Sequence, residues 1–241
     1  NLFASSLLFD DFSDGNLAIP QWRNNNTNTG TTTGSWSVIT DPVDAANLVL
    51  QSGPDQRTHS INVNGIATTD RTLTVSFRFN ASQAGQSWNT RIAFLQSTWN
   101  SGSEAGCGYG IRFGSGSTNN IQIQRLDGFS SSTTLIQGTG LLLSEWNKVS
   151  FSWSPNGTLT AALNDHEILT TTDSTHTSKF ARLYITNFLN NIVPSDTGKV
   201  LLYDDFQVTA GSTLTTFQDA FEDAELETPL WRNNNTNTGT Y

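Results

Sequence analysis

The chain has 241 residues, a formal net charge of -9, 14% charged residues and a single cysteine, Cys107. The acidic balance excludes an expectation of nucleic-acid binding, which needs a cationic face, and one cysteine allows neither an intrachain disulfide nor a zinc site built on several thiolates. No apolar run approaches the ~20 residues of a membrane-spanning helix, so no membrane insertion is expected, and no signal peptide is evident. Thr, Ser, Asn and Gly stand where apolar residues (35%) are few, a composition of many short strands joined by turns. It points to an extracellular or cell-surface location. Sequons occur at Asn25, Asn80, Asn156 and Asn234, as composition alone would produce in an Asn/Thr-rich chain.

Leu7 to Phe12 reads as the first strand, with a turn at Ser13-Asp14-Gly15-Asn16. Short strands are expected from Ser35 to Ile39 and from Asn47 to Gln51, with Thr58 to Val63 as a hairpin partner of the latter. Leu73, Val75, Phe77 and Phe79 alternate with polar residues, a period of two that marks a half-buried strand. Further strands are expected at Arg91 to Ser97, Tyr109 to Phe113, Ile121 to Leu126 and Val149 to Trp153. Pro155-Asn156-Gly157 signals a tight turn into Leu159 to Leu163, and Asn164-Asp165 another before Ile168. Leu183 to Ile185 and Val200 to Val208 complete twelve or thirteen strands with no helix. The expected fold is all-β, an antiparallel two-sheet β-sandwich or jelly roll. Phe77, Phe79, Phe113, Phe151 and Trp153 are its expected core.

One tract occurs twice. The ten residues from Trp22 to Thr31 return unchanged from Trp231 to Thr240, an offset of 209. Upstream, Asp10, Phe12, Asp14, Leu17 and Pro20 reappear as Asp219, Phe221, Asp223, Leu226 and Pro229, while Asp11 becomes Ala220. The chain therefore reads as one domain, residues 1–211, followed by a linker and the start of the next tandem repeat, residues 212–241. The retained tract, with Trp22, Arg23, Asn24, Asn25, Asn26, Trp231 and Arg232, is the expected junction between neighbouring repeats.

Phe9-Asp10-Asp11-Phe12-Ser13-Asp14-Gly15, Gly34-Ser35-Trp36-Ser37-Val38, Gly108-Tyr109-Gly110-Ile111-Arg112-Phe113-Gly114, Glu145-Trp146-Asn147-Lys148-Val149 and Leu202-Tyr203-Asp204-Asp205-Phe206-Gln207-Val208 follow one another in a familiar order. This order resembles the concanavalin A-like lectin/glucanase and laminin-G-like sandwiches found as repeats of large bacterial surface proteins. The resemblance implies a lectin-like module that binds a polysaccharide or glycan, with neighbouring repeats as further partners. It also implies that the first and last strands are neighbours and, as in some domains of the group, that Asp10, Asp14, Asp204 and Asp205 are candidate ligands of a structural calcium, which takes six to eight oxygen ligands. The alternative is that they are solvated or turn-capping carboxylates.

For sugar binding, Trp88 and Trp99 lie in polar Gly/Ser/Asn-rich stretches where an indole can stack on a sugar ring or fold back onto the sandwich edge. Arg112, Gln122 and Gln124 occupy the polar face of the middle strands. The group's glucanases use an E-x-D-x-x-E strand, and no stretch here matches it. Glu104, Glu145 and Glu167 are isolated, and His59, His166 and His176 lack metal-ligand spacing. A non-catalytic binding or adhesive module is expected, with a structural repeat of an extracellular stalk, sheath or filament as the alternative.

Overall fold

A computed structural model describes residues 5–18, 20, 22–24, 36–52, 58–68, 71–82, 88–96, 106–114, 120–128, 131–140, 145–176, 180–189 and 200–211. Fifteen strands follow in chain order: β1 (Ser5–Asp10), β2 (Arg23–Asn24), β3 (Ser37–Thr40), β4 (Leu48–Gln51), β5 (Thr58–Thr68), β6 (Leu73–Asn80), β7 (Trp88–Leu95), β8 (Cys107–Gly114), β9 (Asn120–Asp127), β10 (Ser132–Thr139), β11 (Asn147–Trp153), β12 (Thr158–Leu163), β13 (His166–Thr172), β14 (Phe180–Leu189) and β15 (Leu202–Ala210). They form two antiparallel sheets. One has the order β13-β12-β11-β6-β15-β4-β3 with β1 added against β15, and the other runs β10-β9-β8-β7-β14-β5-β2. There is no helix among the described residues. This is the antiparallel sandwich that alternation and turn chemistry imply.

The alternation is physical. In β6 the inward residues Leu73, Val75, Phe77 and Phe79 are at most 1% exposed, while Thr74, Ser76 and Arg78 face out. Aromatic rings join the sheets: Phe79 stacks on Phe113 at 5.4 Å, Phe94 on Phe151 at 5.9 Å, and Trp153 meets Phe180 edge-on at 4.8 Å. All five expected core aromatics are buried. A polar group in such a core costs less when it is bonded. The Tyr203 hydroxyl accordingly donates to Asn187 Oδ1 at 2.5 Å and lies 2.6 Å from Thr90 Oγ1.

The turns follow their signals. Asn164 and Asp165 both take positive φ, 51° and 67°, in the two-residue link of β12 and β13. Two strand expectations are corrected. β5 does not pair with β4: it pairs with β14 and β2 in the opposite sheet, while β4 pairs with β3 and β15. β10 has no counterpart in the sequence reading, because its Ser132-Thr133-Thr134 start is exposed and lacks an apolar period. The first and last strands are neighbours, with Asp10 opposite Phe206.

Candidate functional site: a polar lattice on one sheet

On β8 and β9 the buried Ile111, Phe113, Ile121 and Ile123 alternate with Arg112, Gln122 and Gln124, which therefore lie on the sheet face turned away from the core. The register lines them up laterally. Arg91 on β7 stands opposite Arg112, Arg112 opposite Gln122, and Gln122 opposite Gln137 on β10. In the adjoining row Ala93 faces Gly110, and Gly110 faces Gln124.

Hydrogen bonds knit these rows into a lattice. Arg112 Nη1 donates to Gln122 Oε1 at 3.2 Å, Gln124 Nε2 donates to the same oxygen at 2.9 Å, and Arg91 Nε donates to Gln124 Oε1 at 3.0 Å. Gln124 Nε2 also reaches Thr134 Oγ1 at 3.2 Å, and Gln122 Nε2 reaches Gln137 Oε1 at 3.4 Å. Arg91 thus crosses the whole width of β8, and its Nη2 meets Ser132 Oγ on β10 at 3.3 Å. The crossing passes over Gly110, where β8 carries no side chain. A Cβ at Gly110 would lie 2.6 Å from the Ile92 carbonyl oxygen and 2.7 Å from Ala93 Cβ, so the strands themselves approach too closely for any other residue.

Burial lowers the pKa of both Arg91 and Arg112, and for Arg91 the neighbouring Arg112 charge adds to the effect. Both guanidiniums remain cationic at neutral pH. They bond amide and hydroxyl oxygens, leaving a surface rich in donors with exposed acceptors at Thr134 and Gln137. Such a surface matches ligands bearing many hydroxyls, or hydroxyls with a carboxylate.

Three of the sequence-selected residues, Arg112, Gln122 and Gln124, are brought together here. Trp88 is not among them. It opens β7, is 2% exposed and packs on Phe79 at 5.6 Å, so the polar stretch around it conceals a core residue. Trp99 lies outside the described residues. Arg91, Thr134 and Gln137 are additions. Arg91 was legible as an outward position of a strand, but its reach across Gly110 was not.

The acidic residues do not form one cage. Asp10, 5% exposed, accepts from the Phe12 amide at 2.8 Å and from Trp22 Nε1 at 2.7 Å. Burial raises its pKa to about 6 against the pull of those donors. Asp204 accepts from Asn47 Nδ2 at 2.9 Å and Arg78 Nη1 at 3.1 Å, and Arg78 Nη1 also meets Asp205 Oδ2 at 3.4 Å. Asp14 is exposed and accepts from the Asn16 amide in a turn. Among the described residues no group of three or more His, Cys, Asp or Glu is placed to hold a metal. With their oxygens already facing protein donors, Asp10 and Asp204 do not fit a calcium site.

Trp22 is also reassigned. Its indole is fully buried in this sandwich, against Phe206 at 5.5 Å and Phe12 at 6.2 Å, so it is not free to anchor a neighbouring repeat. Arg23 and Asn24 pair with Asn62 and Ile61 as β2. Asn25, Asn26, Trp231 and Arg232 lie outside the described residues.

The fold is an antiparallel two-sheet β-sandwich of the concanavalin A-like type. Solved structures with this fold include the globular domain of T. cruzi calreticulin, with a TM-score of 0.62 at 13% identity over 91% of this chain and 92% of that one. The Emp46p carbohydrate recognition domain in its potassium-bound form matches at 0.57 and 11% identity, over 84% and 95%. A GlcNAcα1-4Gal-releasing endo-β-galactosidase from Clostridium perfringens matches at 0.60 and 12%, over 86% of this chain and 62% of the enzyme. No family model and no curated protein matches the chain.

Proposed function

We propose that this domain is a non-catalytic, lectin-like module that binds a polysaccharide or glycan at the cell surface or outside the cell. The observation that carries the reading is the continuous lattice Arg112–Gln122–Gln124–Arg91 on the outer face of β7, β8 and β9. Sugar hydroxyls both donate and accept, and the lattice presents both kinds of group on a rigid sheet. The fold it shares with a carbohydrate recognition domain supports the reading. Trp99, in the connection between the strands that carry Arg91 and Arg112, is the proposed stacking residue. A second copy of the module in the same protein would raise avidity for a repetitive glycan without any new contact. The doubled tract also favours a structural role in a stalk, sheath or filament, which is compatible with binding.

A glycan array probed with the 241-residue chain tests this. Arg112→Ala and Gln122→Ala are expected to weaken the bound glycan about tenfold or more, with the glycan recovered uncleaved and binding unaffected by EDTA. Binding that survives both substitutions would remove the lattice as the site. Cleavage of the glycan would replace the binding module with an enzyme.

A further inference from the structure

The opening segment of the sandwich is held by a small set of contacts. β1 lies antiparallel on β15, with Ser5 opposite Ala210, Phe9 opposite Gln207 and Asp10 opposite Phe206. Beyond it, Asp10 takes the Phe12 amide and the Trp22 indole N–H, Phe12 and Trp22 pack on Phe206, and the Trp22 amide donates to the Leu17 carbonyl at 3.0 Å. Asp10, Phe12, Leu17 and Trp22 are all residues that the C-terminal copy keeps, as Asp219, Phe221, Leu226 and Trp231. The drifted positions keep the same pattern. Buried Leu8 corresponds to Phe217, and Phe9, 56% exposed, corresponds to Gln218.

The register adds a second, independent observation. Ser5 pairs with Ala210 and corresponds to Leu214, three residues beyond Ala210. The three positions 211–213, read as Gly-Ser-Thr in the sequence, have the length and composition that turn an antiparallel hairpin. A chain leaving β15 needs only this turn to run back along the edge that β1 occupies, in the same register and with the same side chains.

We propose that the C-terminal copy, residues 214–231, is a second occupant of the β1 edge of this same sandwich, added as a hairpin onto β15 with Asp219, Phe221 and Trp231 replacing Asp10, Phe12 and Trp22. The opening strand of a following repeat can then close the preceding one, so neighbouring repeats exchange an element rather than merely touch. The first copy holds the edge when both are intact. Gly15, at a φ of 73°, corresponds to Ala224, and a side chain is disfavoured at that backbone angle. This inference is independent of the glycan reading.

The full chain carrying Cys107→Ser tests it by disulfide trapping in a glutathione buffer. Phe9→Cys with Gln207→Cys reports the first copy on the edge, and Gln218→Cys with Gln207→Cys reports the second. The second pair is expected to close at least tenfold more slowly than the first while the first copy is intact. Adding Asp10→Ala and Trp22→Ala should bring it to within about threefold, as a monomer. Further adding Asp219→Ala and Trp231→Ala should abolish that gain. No acceleration, or closure only between chains, overturns the proposal. So does an Asp10→Ala/Trp22→Ala chain that is no more stable with the C-terminal copy intact than with it disabled.

Discussion

Trp22 Nε1 donates to Asp10 Oδ2 at 2.7 Å, and the two side chains are 0% and 5% exposed. The bond joins the end of β1 to the start of β2, which lie in opposite sheets. A carboxylate in this place satisfies a buried indole N–H and the amide of Phe12, a residue held at a φ of 56° that its side chain disfavours. Asp10 therefore organises a turn and closes the sandwich.

The same burial makes Asp10 a source of pH dependence. Its folded pKa of about 6 lies above the ordinary 3.8, so the folded state holds the proton more tightly than the unfolded chain. Stability is then fully present below about pH 4 and is lost as pH rises through about 6, by about 3 kcal/mol at most. Urea midpoints between pH 4 and pH 7 should fall accordingly. Asp10→Asn should flatten that slope while lowering stability by about 1 kcal/mol, because its NH2 group would face the indole N–H.

Asp173 acts in the opposite direction. Burial raises its pKa, but hydrogen bonds from Tyr109, Thr175 and Arg125 outweigh this and hold it at about 2. Its contribution is present above about pH 4 and disappears as pH falls toward 2. Tyr109→Phe removes the 2.6 Å hydroxyl bond to Asp173 and the acceptor for the His176 amide. The expected cost is about 2 kcal/mol at neutral pH, with a smaller further loss on acidification than in the parent chain, read from urea midpoints at pH 2.5 and 7.

Gly110→Ala separates packing from binding at the lattice. The added Cβ must displace the Ile92 carbonyl or Ala93, at a cost of about 2 kcal/mol, and it blocks the path of Arg91 to Gln124. Both the thermal midpoint and glycan affinity should drop. Gln137→Ala, at an exposed rim position, should leave the unfolding free energy within about 0.5 kcal/mol of the parent chain and reduce affinity alone.

Arg78 serves the other sheet. It bridges Asp204 and Asp205 and lies 4.7 Å over the Trp146 ring. Arg78→Ala leaves Asp204, 1% exposed, with Asn47 as its remaining side-chain donor, and should cost about 2 kcal/mol in chemical denaturation.

The sequence by itself determined the class of fold, because strand alternation and turn chemistry are local. Leu73 to Phe79 shows its buried face in its spacing, Asn164-Asp165 accepts the positive φ its hairpin needs, and the ten-residue tract is seen to occur twice. It also selected Arg112, Gln122 and Gln124, since period two assigns them to one face. Partnership was decided by the tertiary structure. Strand pairing across long separations sent β5 to β14 instead of β4, and lateral register placed Arg91 over Gly110 within reach of Gln124. Trp88, flanked by Ser87 and Asn89, went into the core because burial depends on which sheet lies opposite, not on the polarity of the flanking residues. For Asp10 the decisive fact was likewise non-local. An acidic residue in a turn-rich stretch suggested a cation, and the folded chain supplied an indole N–H.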